Sequence, residues 1–215
     1  MKILNLYACL GGNRYKWNQV KNDIEVTAVE LDEELAKLYQ ERFPNDTVII
    51  ADAHQYLLDH YKEYDFIWSS PPCPTHSRIN ISQYTRDCWK PRYPDMALYQ
   101  EIIFLKHYYK GKYCVENVIP FYEPLIPAEK RNRHLYWTNF KLPTILSTRK
   151  NPDLSRTKNL ITVLSDFHDY DFRKYKGSQR KNKIARNLVD YEAGKTILES
   201  VLEINKNKHK QTELF

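Results

Sequence analysis

Short apolar runs of β type alternate with amphipathic helical stretches through the first two thirds of the chain. That alternation restricts the fold more than any other feature. KILNLYA (2–8), IEVTAVEL (24–31), TVIIAD (47–52), YDFIWSS (64–70) and KYCVENV (112–118) are short and rich in β-branched or aromatic residues, as strands are. Between them, DEELAKLYQERF places Leu35, Leu38 and Tyr39 on one helical face, and DMALYQEIIFLKHYYK does the same for Leu98, Ile102, Leu105 and Tyr109. RHLYWTNF (133–140) reads as a further, aromatic strand. Strand–helix alternation predicts an α/β fold with a doubly wound, mostly parallel sheet covered on both faces. Ligands of such sheets gather beyond the carboxyl ends of the strands.

After Phe140 the pattern changes. Prolines and basic residues replace the alternation, and between Lys141 and Lys183 eleven Lys or Arg face four acids. The whole chain carries a net charge of +6, so an anionic partner is favoured and this stretch is where it would be met. Helical spacing returns at NLVDYEAGKTILESVLEIN, with Val189, Ala193, Ile197, Val201 and Ile204 in phase. The expected organisation is a core over 1–140, a small basic insertion over 141–183, a helix returning to the core over 184–205 and a frayed tail over 206–215. No long apolar run or charged-apolar-small leader is seen, which predicts a soluble, intracellular protein.

The predicted strand ends carry the chemistry. LYACLGGN follows the first strand. Gly11-Gly12 there suggests a tight turn into a helix whose first N–H groups meet an anion. Glu30 ends the second strand, nineteen residues past Gly11, where a carboxylate can accept both hydroxyls of a ribose. Asp52, followed by Ala53, ends the third and can accept the amino hydrogens of an adenine. Each of these taken singly has an ordinary reading, a βα turn or a helix cap. Together they suggest a nucleoside with an anionic tail. S-adenosylmethionine fits better than NAD, because Cys9 interrupts any GxGxxG. The fourth strand runs into SSPPCPTHS, where Pro71 and Pro72 end the strand and stiffen the chain before Cys73. The fifth ends in Glu116-Asn117-Val118. A thiol beside a glutamate is a poor protease pair. It suits a ring that is protonated as the thiolate attacks, such as cytosine. In EKRNRHLYW, Arg131 and Arg133 alternate, so on one strand both would point to one face.

With these motifs in this order, the chain resembles the cytosine-C5 DNA methyltransferases over almost its whole length. LYACLGG is similar to the family's first motif, with Tyr7 for Phe and Cys9 for the first glycine. SPPCPTHS keeps the Pro71-Pro72-Cys73 core and Ser77 of the nucleophile motif, with His76 where the family has Phe. ENV is intact, EKRNR has Glu129 for Gln, and RNLVDYEAGKTI has Arg186 for Gly. The resemblance implies a Rossmann-like fold of the S-adenosylmethionine-dependent methyltransferases. It implies Cys73 as nucleophile, Glu116 as the acid holding cytosine, and Arg133 and Arg131 as supports. For the cofactor it implicates Tyr7, Ala8, Leu10, Gly11, Gly12, Glu30, Leu31, Asp52, Ala53, Pro71, Asn187 and Val189. For DNA it implicates Ser77, Arg78, Arg86, Lys90 and Arg92 on a mobile loop over 78–94. Arg173, Lys174, Lys176 and Arg180 would serve DNA in a reduced target-recognition segment. The target base is expected to be flipped out of its duplex.

Duplex DNA is therefore the expected partner, S-adenosylmethionine the cofactor and a monomer the expected state, with a phage or mobile-element origin favoured by the short reader. Three rivals stand beside this reading: an RNA cytosine methyltransferase, an N4-cytosine enzyme and an inactive DNA-binding accessory. No metal is expected. Cys73, His76 and Cys88 lack a fourth ligand for zinc, and none of the four cysteines forms a CxxC pair.

Overall fold

The structure is a computed structural model that describes residues 1–82, 90–150, 152 and 159–204. Arg86, Cys88 and the expected tail lie outside the described residues. Strands β1 (Lys2–Leu6), β2 (Glu25–Glu30), β3 (Thr47–Ile50), β4 (Phe66–Ser69), β5 (Lys112–Val118), β6 (Glu129–Arg131) and β7 (His134–Thr138) form one sheet in the order β3-β2-β1-β4-β5-β7-β6. The first five are parallel, and β7 runs antiparallel to both β5 and β6. The helices are α1 (Trp17–Val20), α2 (Glu33–Arg42), α3 (Ala53–His60), α4 (Ile79–Ser82), α5 (Ala97–Tyr108), α6 (Leu160–His168), α7 (Lys181–Asn187) and α8 (Tyr191–Val201). This is the doubly wound α/β fold that the alternation predicts, Rossmann-like as the resemblance implies.

Alternate side chains of the central strands feed two cores. Leu4, Leu6 and Ile67 pack with Leu57 of α3 and with Leu98, Ile102 and Leu105 of α5. Ile3, Phe66, Trp68 and Cys114 face the other way, onto Trp17 of α1 and Ile197, Leu198 and Val201 of α8. Burial on both faces is why β1 and β4 read as mostly apolar runs without alternation, Asn5 and Ser69 being buried polar exceptions. Caps fix where the helices begin: Asp32 accepts from Glu34 and Leu35 N–H, Asp52 from Gln55 N–H, and Asp190 from Glu192 N–H.

Three expectations are corrected. No helix starts at Gly12; turns run from there to α1, which begins at Trp17. Arg131 and Arg133 do not alternate on one strand. Asn132 adopts φ 52°, the chain reverses, and Arg131 pairs with His134 across a tight hairpin. Val189 lies before α8, because Asp190 caps that helix.

The boundary drawn at 183 falls within α7. The basic stretch has apolar residues of its own, and they dock on the core. Leu142 and Leu146 join the α1–α8 side. Leu164, Phe172 and Tyr175 pack with Leu10, Leu35, Leu38 and Ile184. Among the described residues, no helix is long and apolar enough to cross a membrane.

Candidate active site

Strand order reverses between β1 and β4, and a cleft of about 550 Å³ opens at their carboxyl ends. This is where open α/β sheets bind ligands, and the volume suits a small organic molecule. One half of the cleft follows β1, β2 and β3, the other follows β4 and β5, and α7 with the residues after it lines it as well.

In the first half, Glu30 accepts the Cys9 N–H at 2.8 Å and the Asp32 N–H at 3.0 Å. It thereby ties the loop after β1 to the start of α2. Burial raises its carboxyl above the ordinary value, against the pull of those N–H groups. Cys9 adopts φ 49° and Gly11 φ 66°. The first glycine of the resembled motif thus falls where the backbone is left-handed, and a cysteine there bears strain on the order of 1–2 kcal/mol. Burial and nearby Glu30 push the Cys9 thiol up to about 12. Tyr7 donates to Glu101 Oε1 at 2.5 Å, Ser69 donates to Glu101 Oε2 at 2.6 Å, and His54 Nδ1 lies 3.0 Å from Oε1, so Tyr7 is held from behind the cleft wall. Asp52 accepts from Gln55 N–H through Oδ1 and also lines the cleft.

Ten of the twelve proposed cofactor residues line this space: Tyr7, Ala8, Gly12, Glu30, Leu31, Asp52, Ala53, Pro71, Asn187 and Val189. Leu10 and Gly11 do not. Leu10 is fully buried under α2, and a side chain at Gly11 would strike Phe43 and Tyr39. Gly12 is needed for a reason the sequence does not display. A Cβ there would collide with the Val189 carbonyl and the Leu188 side chain. The segment before α8 folds back onto the first loop at that point.

In the second half, β4 stops at Ser69 and the two prolines carry the chain to Cys73. Asn117 donates to the Pro71 carbonyl at 2.9 Å, and the Cys73 carbonyl accepts from His76 and Ser77 N–H. The loop is therefore held on both sides of the thiol. Glu116 is buried at the end of β5 and lines the same cleft. Burial, then the Glu116 charge, push the Cys73 thiol up to about 11, while a backbone N–H and Lys183 pull it down.

Neither Arg131 nor Arg133 lines the cleft. Arg131 is bound to Glu129 and to the Pro143 and Leu142 carbonyls, and Arg133 is exposed on the hairpin turn. Both line a smaller adjoining hollow of about 60 Å³. The residue that meets Glu116 is His134, whose Nε2 lies 3.6 Å from Glu116 Oε1. Lys183 of α7 lines the cleft too, donating to Gln179 Oε1 at 3.3 Å, and Gln179 Nε2 donates to Asp32 at 2.9 Å. These residues carry no local signal. His134 follows a conspicuous arginine pair, and Lys183 is one cation in a basic run, so only the tertiary fold singles them out. His76 packs rather than contacts solvent, buried edge-on against Tyr99 with Nδ1 2.6 Å from the Tyr122 hydroxyl.

Of the proposed nucleic-acid residues, Ser77 forms a β-bridge to Pro120 and Arg78 donates to the Pro120 carbonyl at 3.4 Å. Lys90 and Arg92 are exposed. Arg173, Lys174, Lys176 and Arg180 are exposed as well, beside the start of α2, where Lys176 N–H meets Glu34 and Arg173 pairs with Asp171.

Residues 1–119 match the family model for C-5 cytosine-specific DNA methylase. No curated protein matches the chain. Among solved structures, it is similar to a Spodoptera frugiperda DNMT2 variant, with 20% identity over 74% of this chain and 55% of that one and a TM-score of 0.43. It is also similar to a chain of a fibrillarin/Nop5p complex, with 11% identity over 54% of this chain and 49% of that one and a TM-score of 0.37. A putative methyltransferase, yhhF from Escherichia coli, shows 15% identity over 64% of this chain and 73% of that one, with a TM-score of 0.39. The chain thus spans about half the length of the first two.

Proposed function

This chain belongs to the C-5 cytosine-specific DNA methylase family, and from that premise we propose that it transfers a methyl group from S-adenosylmethionine to carbon 5 of cytosine in duplex DNA. The observation that carries this reading is the meeting of Cys73 and Glu116 in one cleft with Glu30 and Asp52. A nucleophile, an acid for the ring and two nucleoside-binding carboxylates share one switch point of the sheet.

The residues present fit the cofactor. Glu30 would take the ribose hydroxyls and Asp52 the adenine amino group. Leu31, 66% exposed at the cleft, offers an apolar surface for the ring. S-adenosylmethionine, when bound, supplies an electrophilic methyl on a sulfonium.

The protein's own residues do the rest. Cys73 loses its proton to water and its thiolate bonds carbon 6 of the ring, and the C5–C6 π pair shifts toward carbon 5. A proton held by Glu116 neutralises ring nitrogen 3, which favours that addition. Once carbon 5 carries the methyl, with S-adenosylhomocysteine as the other product, the carbon 5 proton leaves to water, nitrogen 3 returns its proton to Glu116, the sulfur departs as thiolate and the double bond returns. Because a thiol cannot reach carbon 6 inside a base stack, the cytosine is flipped into the cleft. Lys90, Arg92 and the exposed cations of 173–180 supply phosphate contacts. A reader this short implies few base contacts, so the target is short or degenerate, or a partner completes it.

The test is to incubate the protein with labelled S-adenosylmethionine and either duplex DNA or transfer RNA, then digest to nucleosides. The reading predicts 5-methylcytosine from DNA, abolished by Cys73→Ser. Label confined to RNA, or appearing as N4-methylcytosine, would overturn it.

A further inference from the structure

We propose that His134 is a positioning residue that stores the proton Glu116 delivers to the cytosine ring; this rests on the function proposed above. Val118 pairs with His134 and Glu116 with Tyr136, so Glu116 and His134 are diagonal neighbours on one face of the sheet. Diagonal neighbours are within reach of long side chains, and here the imidazole Nε2 stands 3.6 Å from the carboxylate. Their exposures differ in a way that matters. The Glu116 side chain is 8% exposed and the His134 side chain 34%. The carboxylate is nearly withdrawn from solvent, and the imidazole beside it is a third exposed.

The chemistry needs such a neighbour. Ring nitrogen 3 must gain one proton as Cys73 adds to carbon 6. Glutamates ordinarily titrate near pH 4 (about 4.3), so a lone carboxylate at neutral pH has no proton to give. Imidazoles titrate in the neutral range and exchange protons readily. In the proposed step, the proton leaves His134 Nε2 for Glu116 as the carboxylate engages nitrogen 3, leaving a neutral imidazole. When the thiolate departs from carbon 6, nitrogen 3 returns the proton through Glu116 to His134. One proton moves out and back, and no other reagent is consumed.

The other titratable or charged groups around His134 belong to every packed element. Glu30, Asp32, Asp52, Cys73, Lys183 and Arg186 share the cleft with it, and Arg131, Arg133, Asp190 and His168 share the adjoining hollow. Among them Glu116 is the carboxylate in ion-pair range of the imidazole.

The test has two arms. Single-turnover methyl transfer to duplex DNA, at saturating S-adenosylmethionine, is followed from pH 6 to 9 for the wild type and His134→Gln. Raising the pH adds Cys73 thiolate and removes the imidazole proton, so the wild-type rate should level off while that of His134→Gln keeps climbing. The variant should run about 100-fold slower at pH 6.5, the scale of a lost proton donor, and close on the wild type by pH 9, with cofactor affinity unchanged. A variant within twofold of the wild type at every pH, or slower by one constant factor, overturns the proposal. The second arm needs no activity: the His134 imidazole resonance, identified by its loss in His134→Gln, is titrated in wild type and Glu116→Gln. A midpoint that falls in Glu116→Gln supports the coupling, and an unchanged midpoint overturns it. A wild type that couples His134 to Glu116 but methylates no cytosine would instead sink the parent reading.

Discussion

The Asn117 side-chain amide donates to the Pro71 carbonyl at 2.9 Å, so the end of strand β5 holds the loop that carries Cys73. The same residue uses its Oδ1 to accept the Val118 N–H, and it is buried. The ENV motif therefore does two things: Glu116 faces the cleft and Asn117 fixes the thiol's platform. Asn117→Ala leaves a buried carbonyl without its donor, which costs about 1–3 kcal/mol. The expected outcome is that loss in urea unfolding, together with a fall in kcat larger than any rise in the S-adenosylmethionine Kd.

The free enzyme should have a sluggish thiol. Burial and the Glu116 charge push Cys73 up to about 11. Only the thiolate is alkylated, so the rate of Cys73 modification should climb about tenfold per pH unit between pH 7 and 9. Glu116→Gln removes a charge that opposes ionisation and should speed modification at fixed pH. Lys183→Met removes one that favours it and should slow modification. Peptide mass spectrometry separates Cys73 from Cys9 and Cys114, which burial holds protonated.

Gly12→Ala should weaken cofactor binding without touching the nucleophile. The new methyl would collide with the Val189 carbonyl, which belongs to backbone and cannot swing away. Asn187 and Val189 would be displaced from the cleft wall. Calorimetric titration should show the S-adenosylmethionine Kd raised at least tenfold, while the Cys73 alkylation rate stays within twofold.

Acid should destabilise the region around α6 through His168. This side chain is 3% exposed, set edge-on to Phe167 and Phe172, and its Nδ1 has no hydrogen-bond partner among the described residues. Burial pulls its pKa from 6.5 to about 4. Folding thus favours the neutral imidazole. The stability it contributes is present above pH 6.5 and is lost as pH falls toward 4. The full effect is about 3 kcal/mol. His168→Phe should unfold with a shallower pH dependence over that window than the wild type, measured by urea titration at each pH.

The centre of the sheet was legible because β1, β4 and β5 are buried on both faces, so β-branched and aromatic runs stand out even without alternation. KYCVENV matches β5 residue for residue. The first strand reads two residues long because nothing local marks the turn to φ 55° at Tyr7. The hairpin at Asn132 is hidden in the same way, since its signal is one left-handed residue among charges. The stretch after Phe140 offers a period only in α6, where Leu160, Ile161 and Leu164 recur at helical spacing. Leu142, Leu146 and Tyr175 are spaced by the core they dock on rather than by a helix or strand of their own. The motifs pointed to most of the cleft's lining. Contacts between distant segments, such as His134 with Glu116 or Lys183 near Cys73, depend on a register and a helix position that no local pattern encodes.

The central claim is that Cys73 bonds cytosine while Glu116 attends the ring. The most direct measurement is covalent trapping on duplex DNA carrying 5-fluorocytosine, in the presence of S-adenosylmethionine. Fluorine at carbon 5 cannot leave as a proton does, so the adduct persists. The account predicts a denaturation-resistant protein–DNA complex, absent in Cys73→Ser and strongly reduced in Glu116→Gln, with the peptide containing Cys73 carrying the nucleotide. Methyl transfer or trapping that survives in Cys73→Ser would contradict it.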